Sequence, residues 1–311
     1  MGRLVNGEWV TQSVMTTDKT GSYARIPRSF RNVIASSDPI YKPQSGRYHL
    51  YVSHACPWAH RTLIYRKLKG LENHISVSVV SPDMLDDGWI FDDVFPKATI
   101  DHLYGLTKLR DIYTKADPKI STSVTVPVLW DKKTAGIVNN ESSEIIRMLN
   151  SSFDHITGNT NDYYPPSLRS EIDALNEYIY PNINNGVYRA GFAKTQEAYN
   201  EAVGNLFSAL DNLEERLQNQ TFLLGDRITE ADIRLIPTLI RFDIVYVGHF
   251  KCNKRRIKDY PHLFRYLRHA YDTIDAIQQT THFDHIKRHY YYSHPTLNPY
   301  RIIPQGPDDI F

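Results

Sequence analysis

An extended run, Tyr48-His49-Leu50-Tyr51-Val52-Ser53, leads within three residues into Cys56-Pro57-Trp58-Ala59-His60, and helix formers continue from Arg61 to Lys69. Pro57 suits the first helical position, whose N–H has no helical partner in any case, so the spacing predicts a helix beginning there. Cys56 is thereby placed at a helix mouth. The unpaired N–H groups and the positive end of the helix dipole favour an anion at that point, and so a thiolate over a thiol. A dithiol redox site needs a second cysteine three residues on; that position is Ala59, so a mixed disulfide formed at Cys56 has to be released by an external thiol. The competing role is a small buried hydrophobe, the commoner fate of a free cysteine, against which the helix-mouth position argues.

The β-rich run 74–80, His74-Ile75-Ser76-Val77-Ser78-Val79-Val80, completes a βαβ unit and implies parallel pairing through a right-handed crossover. Residues 81–125 are long for a connection and predict a functional excursion holding a helix over 106–115. Then Val124-Thr125-Val126-Pro127-Val128-Leu129-Trp130-Asp131, a turn over 132–136 and Ile137-Val138-Asn139 read as a hairpin, followed by a helix over 142–149. The order βαβ, excursion, ββα is the thioredoxin-like arrangement. In it the cysteine-bearing helix mouth faces a proline at the start of the third strand, and Pro127 stands there. A cis Val126–Pro127 bond keeps the proline from breaking a ladder and turns the Val126 backbone toward Cys56; a trans edge-strand proline is the ordinary alternative.

Ahead of this unit, residues 1–46 are polar, carry Pro27, Pro39 and Pro43 and show no sustained periodicity, which predicts an extended arm. Gly158, several Asn and Asp, and Pro165-Pro166 read as a linker, and everything beyond reads as helical. The expected division is an arm over 1–46, a thioredoxin-like domain over 47–160 and an all-α domain over 165–311. With 311 residues at 41% hydrophobic content, two cores of ordinary size are within reach. The clearest helix start in the second half is Ile228-Thr229-Glu230-Ala231-Asp232-Ile233, with Thr229 as N-cap, Asp232 at the third helical position, and Ile228 stapled to Ile233.

Charge excludes more than it selects. Lys plus Arg number 36 against 35 Asp plus Glu, which argues against nucleic acid as a partner. Two cysteines, Cys56 and Cys252, are too few for a disulfide scaffold and suit a reducing compartment. The start Met1-Gly2-Arg3-Leu4-Val5-Asn6 has no signal-peptide core, Asn6 spoils a myristoylation motif at Gly2, and no 18-residue apolar run occurs. The expectation is a cytoplasmic protein without a membrane partner. His54, Cys56 and His60, and the group His282, His285, His289 and His294, lack the paired spacing of zinc ligands, so no metal is expected. Cys252 lies among Lys251, Lys254, Arg255 and Arg256; a solvated surface loop is the preferred reading and a thiol activated by those charges the other.

A thioredoxin-like first domain, a helical second domain and this capping box together resemble the soluble glutathione transferases. The strings Gly46-Arg47-Tyr48-His49-Leu50-Tyr51-Val52-Ser53, Ala55-Cys56-Pro57-Trp58-Ala59-His60-Arg61, Thr125-Val126-Pro127-Val128-Leu129-Trp130-Asp131 and Asn140-Glu141-Ser142-Ser143-Glu144-Ile145 are similar to the Xi class, the glutathionyl-hydroquinone reductases. In the second half Asn184-Asn185-Gly186-Val187-Tyr188-Arg189-Ala190-Gly191-Phe192, Arg241-Phe242-Asp243, Val245-Tyr246, His249-Phe250-Lys251-Cys252-Asn253 and His285-Ile286-Lys287-Arg288-His289-Tyr290-Tyr291 fit the same class. The Omega class shares the helix-mouth cysteine but lacks this combination.

The resemblance implies that Cys56 is the catalytic nucleophile and that glutathione is the co-substrate. It implies glutathione contacts from Trp89, from the Val126 backbone as an added strand, and from Glu141 and Ser142 at the γ-glutamyl end, where a carboxylate meets a helix start. It assigns Tyr188, Tyr246 and Tyr290 to the hydroquinone, since phenols can hydrogen-bond quinol oxygens and stack on the ring. Relatives are dimers, so a homodimer is expected. One departure stands out: the class generally has Gly-Arg just before its Val-Pro strand, and here those positions are Thr122 and Ser123. Losing a charge-assisted bond costs about 1.5–3 kcal/mol, and Arg110 is the candidate substitute. Two readings stay beside the hydroquinone reductase: a broader Omega-like thiol transferase or dehydroascorbate reductase, and a non-catalytic binding module of the same fold.

Overall fold

The computed structural model describes residues 2–11, 16–24 and 28–307, so Pro27 of the expected arm and residues 308–311 of the expected second domain lie outside it. In chain order the first elements are β1 (Arg3–Val5), β2 (Glu8–Val10), β3 (Thr16–Thr17), β4 (Tyr23–Ala24), β5 (Tyr48–Val52), α1 (Pro57–Leu68), β6 (Ile75–Val79), α2 (Leu109–Ala116), β7 (Val128–Asp131), β8 (Gly136–Asn139), α3 (Ser142–Ser151) and α4 (Asp154–Thr157). The helices α5 (Arg169–Ile179), α6 (Gly186–Gly191), α7 (Gln196–Arg216), α8 (Glu230–Arg241), α9 (Pro261–Thr273), α10 (Asp275–Thr280) and α11 (Phe283–Ser293) follow. The chain packs as two units: the described residues of 1–14, 26–162 and 280–293 form one, and those of 15–25, 163–279 and 294–311 the other. This differs from a sequential division in two respects. The arm is shared between the units, and α11 belongs to the first.

In the first unit a four-stranded sheet has the order β6-β5-β7-β8. β5 runs parallel to β6 and antiparallel to β7, which is antiparallel to β8. This is the thioredoxin-like order. Every residue of β5 is buried, as a central strand covered on both faces must be, while α1 and α3 pack together. An ion pair joins the ends of two central strands: Arg47 donates from Nε to Asp131 Oδ1 at 2.8 Å and from Nη2 to Oδ2 at 2.6 Å. Burial pushes the Asp131 carboxyl up, but bonds from Arg47, the Lys133 N–H and the Thr134 hydroxyl outweigh it and hold the group below the usual carboxylate range.

The described arm is more ordered than its composition suggested. β1 and β2 form a hairpin around Asn6-Gly7, whose φ values of 51° and 82° are those of a two-residue turn with left-handed centres. The Asn-Gly signal was present and short; its strands have three residues each, too few for a periodicity. Leu4 and Thr122 exchange backbone bonds of 2.9 and 3.0 Å, which attaches the hairpin to the excursion.

Apart from the short β3–β4 pair, the second unit is helical, with π-helical turns at Tyr180–Asn184 and Phe242–Tyr246 continuing α5 and α8. The capping box forms as expected. Thr229 donates to Asp232 Oδ2 from N and from its hydroxyl at 2.8 Å, and the Leu223 N–H and Tyr266 hydroxyl donate to Oδ1 at 2.9 and 3.1 Å. Burial raises the Asp232 carboxyl against those four bonds. No helix among the described residues is long and apolar enough to cross a membrane.

Candidate active site

Ser53 ends β5 with a tight turn: its carbonyl accepts from the Cys56 N–H at 3.2 Å and its hydroxyl from the Ala55 N–H at 3.2 Å. Cys56 then caps α1 with extended backbone (φ −78°, ψ 122°), Pro57 opens the first turn, and the His60 N–H bonds to the Cys56 carbonyl at 3.0 Å. The thiol is half-buried and reduced. The Val126–Pro127 bond is cis, as expected, and the Cys56 thiol donates to the Val126 carbonyl at 3.6 Å. Sequence placed these two residues 70 positions apart; the sheet brings them together.

The excursion explains how Val126 is held there. Tyr113 on α2 donates its hydroxyl to the Thr125 carbonyl at 2.7 Å and accepts from the Thr125 N–H at 3.2 Å and from Asn140 Nδ2 at 3.2 Å. One buried phenol thus ties the segment leading into β7, which carries Val126, to the residue before Glu141. Sequence reading located the helix, starting three residues early, but not Tyr113, which no local pattern distinguishes from other core aromatics.

Glu141 is the N-cap of α3, and its Oε1 accepts from the N–H and hydroxyl of Ser143 at 3.1 Å each. Ser142 is buried and directs its hydroxyl to the same oxygen at 3.4 Å. The helix start expected to hold a carboxylate from outside therefore already receives one from Glu141. Arg31 grips Glu144 in the same first turn with both its Nε and Nη2, the former at 2.7 Å from Oε2, and this pair, aided by Asn139, keeps the Glu144 carboxyl below its ordinary value.

Trp89 is buried and stacked on His289 of α11, with ring centroids 4.7 Å apart at 23°, and the His289 Nδ1 bonds to the Pro82 carbonyl at 2.9 Å. The sequence offers His289 no role beyond a histidine group without zinc-ligand spacing; the return of α11 to the first unit places it beside Trp89. Arg110 has partners of its own: Nη2 meets Asp87 Oδ1 at 2.8 Å and the guanidinium lies 4.9 Å over the Trp9 ring. At the positions of the absent arginine, Thr122 pairs with Leu4 and bonds to Ser29 Oγ at 2.7 Å, and Ser123 is buried.

The three tyrosines fall in different units. Tyr290 is on α11 of the first unit and almost wholly buried. Tyr188 and Tyr246 are in the second, 6.1 Å apart by ring centroid, in an aromatic cluster with Phe192 and Phe250. Phe250, which the sequence reading carries only within a resemblance string and without a role, stacks on Tyr246 at 5.3 Å.

Cys252 corrects both sequence expectations. It is neither in a solvated loop nor activated by its basic neighbours: it is fully buried, its N–H bonds to the Tyr246 carbonyl at 2.9 Å, and burial pushes the thiol far up. Iodoacetamide on the folded protein at pH 8 should therefore carbamidomethylate Cys56 alone, and Cys252 should react only in denaturant; peptide mass mapping checks this, and equal labelling of both would refute it.

His54, His282 and His285 gather by their rings, 3.9 Å and 5.0 Å from His54, with the Lys97 ammonium on His282 Nδ1 at 3.1 Å and the His285 Nε2 on the Pro96 carbonyl at 2.6 Å. Among the described residues, no group of three or more His, Cys, Asp or Glu could hold a metal ion.

Two family models match this chain: the glutathione S-transferase N-terminal domain over residues 55–152 and the C-terminal domain over 196–269. A curated relative, glutathionyl-hydroquinone reductase YqjG of Escherichia coli K12, is 53% identical over 314 residues, covering 99% of this chain and 95% of that protein. Among solved structures, the Xi glutathione S-transferase of Phanerochaete chrysosporium superposes with a TM-score of 0.93 at 52% identity, covering 95% of this chain and 96% of that one. The glutathione-bound structure of YqjG superposes with a TM-score of 0.91 at 51% identity, over 99% and 97% of the two chains. The chain belongs to the glutathione transferase family, within its Xi class.

Proposed function

We propose that this protein is a glutathione-dependent enzyme that reduces glutathionyl-hydroquinones to hydroquinones. The observation that carries the reading is Cys56 at the cap of α1, 3.6 Å from the Val126 carbonyl, with Ala59 where a resolving thiol would stand. The names of the relatives support the substrate class: YqjG is a glutathionyl-hydroquinone reductase and has been solved with glutathione.

The Cys56 thiolate attacks the sulfur of the aromatic thioether. The sulfur–ring bond breaks, its electron pair stays on the ring carbon, and that carbon takes a proton to give free hydroquinone. Cys56 and glutathione are left as a mixed disulfide. The thiolate of a second glutathione attacks the sulfur of the bound one, releasing glutathione disulfide and the Cys56 thiolate. A helix mouth suits this cycle because its N–H groups and dipole stabilise the negative sulfur that enters and leaves each step.

In the same reading Val126 pairs with the cysteinyl amide of glutathione, Trp89 lies beside the peptide, and Glu141 and Ser142 receive its γ-glutamyl end. Glu141 supports this by being fixed at the start of α3 through Ser143. Tyr188, Tyr246 and Tyr290 hydrogen-bond the ring oxygens and assist ring protonation. The reading includes a homodimer in the cytoplasm, the latter supported by two cysteines that are both free thiols.

The test is intact-mass measurement of Cys56 after incubation with a glutathionyl-hydroquinone and, separately, with an ordinary glutathione mixed disulfide. A glutathione adduct on Cys56 with release of hydroquinone is the expected result. An adduct from the mixed disulfide alone would make the protein a general thiol transferase, and an adduct from neither would leave it a binding module.

A further inference from the structure

The loop that presents Trp89 has no regular structure of its own, yet it is gripped from two sides. On one side it pairs with the start of α2: the Leu109 N–H bonds to the Trp89 carbonyl and the Phe91 N–H to the Thr107 carbonyl, both at 2.9 Å, around a bridge between Ile90 and Lys108. On the other side stands the β1–β2 hairpin. Its Trp9 donates the indole N–H to the Asp86 carbonyl at 2.9 Å. Gly88, at φ +73°, lies so close that a Cβ there would meet the Trp9 ring at 2.9 Å. Arg110 closes the arrangement, its guanidinium 4.9 Å over the indole and its Nη2 2.8 Å from Asp87, whose same oxygen also receives the Lys108 ammonium at 2.9 Å.

We propose that Trp9 is a positioning residue for glutathione binding: the amino-terminal hairpin clamps the loop 86–88 through the Trp9 indole and so fixes Trp89 for the peptide. The proposal rests on the functional reading above. Trp9 touches neither substrate nor Cys56 in this role; it acts through the Asp86 carbonyl and the flat face that Gly88 offers. Two bulky groups, an indole and a guanidinium, are committed to an otherwise exposed turn, and the next side chain along is Trp89. The same contacts hold Arg110 to Asp87 through Nη2 and to the Trp9 ring through its face, while its buried Nη1 has no hydrogen-bond partner among the described residues.

Trp9→Ala and Trp9→Phe, measured against the wild type, test this. Phe keeps a ring against Gly88 and Arg110 and loses the N–H bond to Asp86, so it should fall between the other two. In Trp9→Ala the amides of 88–91 should exchange with deuterium roughly tenfold faster. The glutathione dissociation constant from calorimetry should rise by about tenfold, the size of a lost aromatic contact plus a weakened hydrogen bond. Alkylation of Cys56 by iodoacetamide, which needs no peptide contact, should keep its wild-type rate. Unchanged glutathione affinity in Trp9→Ala would overturn the proposal, and so would a parallel loss of affinity, alkylation rate and thermal midpoint, the mark of a merely structural role. If Trp9→Ala does not fold, the same comparison is made with Trp9→Phe. A wild type that fails to bind glutathione would overturn the functional reading together with this one, whereas a wild type that binds and a variant that binds equally well overturns this one alone.

Discussion

Cys56→Ser is expected to lower kcat/KM for a glutathionyl-hydroquinone by at least about 1,000-fold and to abolish the glutathione adduct at this position, because a hydroxyl at a helix mouth is neither ionised at neutral pH nor able to form a mixed disulfide. The fold should survive. The Sγ is half-buried and makes one weak bond, to the Val126 carbonyl at 3.6 Å, which a serine hydroxyl can replace. Steady-state turnover, intact mass and a thermal melt on the same preparation separate these statements. Retained turnover with a normal melt would refute Cys56 as the nucleophile, and Cys252 could not then be invoked, since burial both hides its sulfur and raises its thiol.

The second large effect is on stability. Arg47 and Asp131 are almost fully buried and bonded through two atoms each, at the start of β5 and the end of β7. Arg47→Ala leaves a carboxylate buried without its cation, and such deletions cost about 3–5 kcal/mol. A double change to well-packed apolar residues should cost much less. The sign of the pH dependence follows from the depressed Asp131 carboxyl. A carboxyl held below its unfolded value contributes stability that is complete above about pH 4 and is lost as the pH falls through the folded value. Thermal midpoints of wild type and Asp131→Asn should therefore differ most at neutral pH and draw together as the pH falls below about 4. A constant difference across that range would mean that the ion pair is not what stabilises the junction. The effect bears on function, since β5 delivers the chain to Ser53 and Cys56.

Much of this was legible in the residues themselves. The strand into Cys56-Pro57, the βαβ and ββα order and the Thr229–Asp232 capping box are local signals: alternation, a first-turn proline and a three-residue reciprocal bond do not depend on distant chain. The cis Val126–Pro127 bond was anticipated from the convergence of strand order and Cys56. The β1–β2 hairpin was missed because its strands are shorter than any periodicity test can use. Cys252 misled for a related reason. Basic neighbours along the chain suggest solvent, whereas the residue is fully buried with its thiol on the Phe250 carbonyl at 3.8 Å, and burial is a property of what folds over a residue.

By itself, the sequence determined where a free sulfur sits on its helix, that no second cysteine stands three residues on, and which class of fold surrounds it. Those depend on backbone preference and on spacing of a few residues. Only the tertiary structure decided which groups surround that sulfur and Trp89. Val126 reaches Cys56 from 70 residues away, Tyr113 holds Thr125 just before it, His289 stacks on Trp89 after nearly 200 intervening residues, and Trp9 clamps the same loop from the amino-terminal hairpin. Such partners are chosen by packing between elements far apart in the chain, which leaves no periodic trace in either of them.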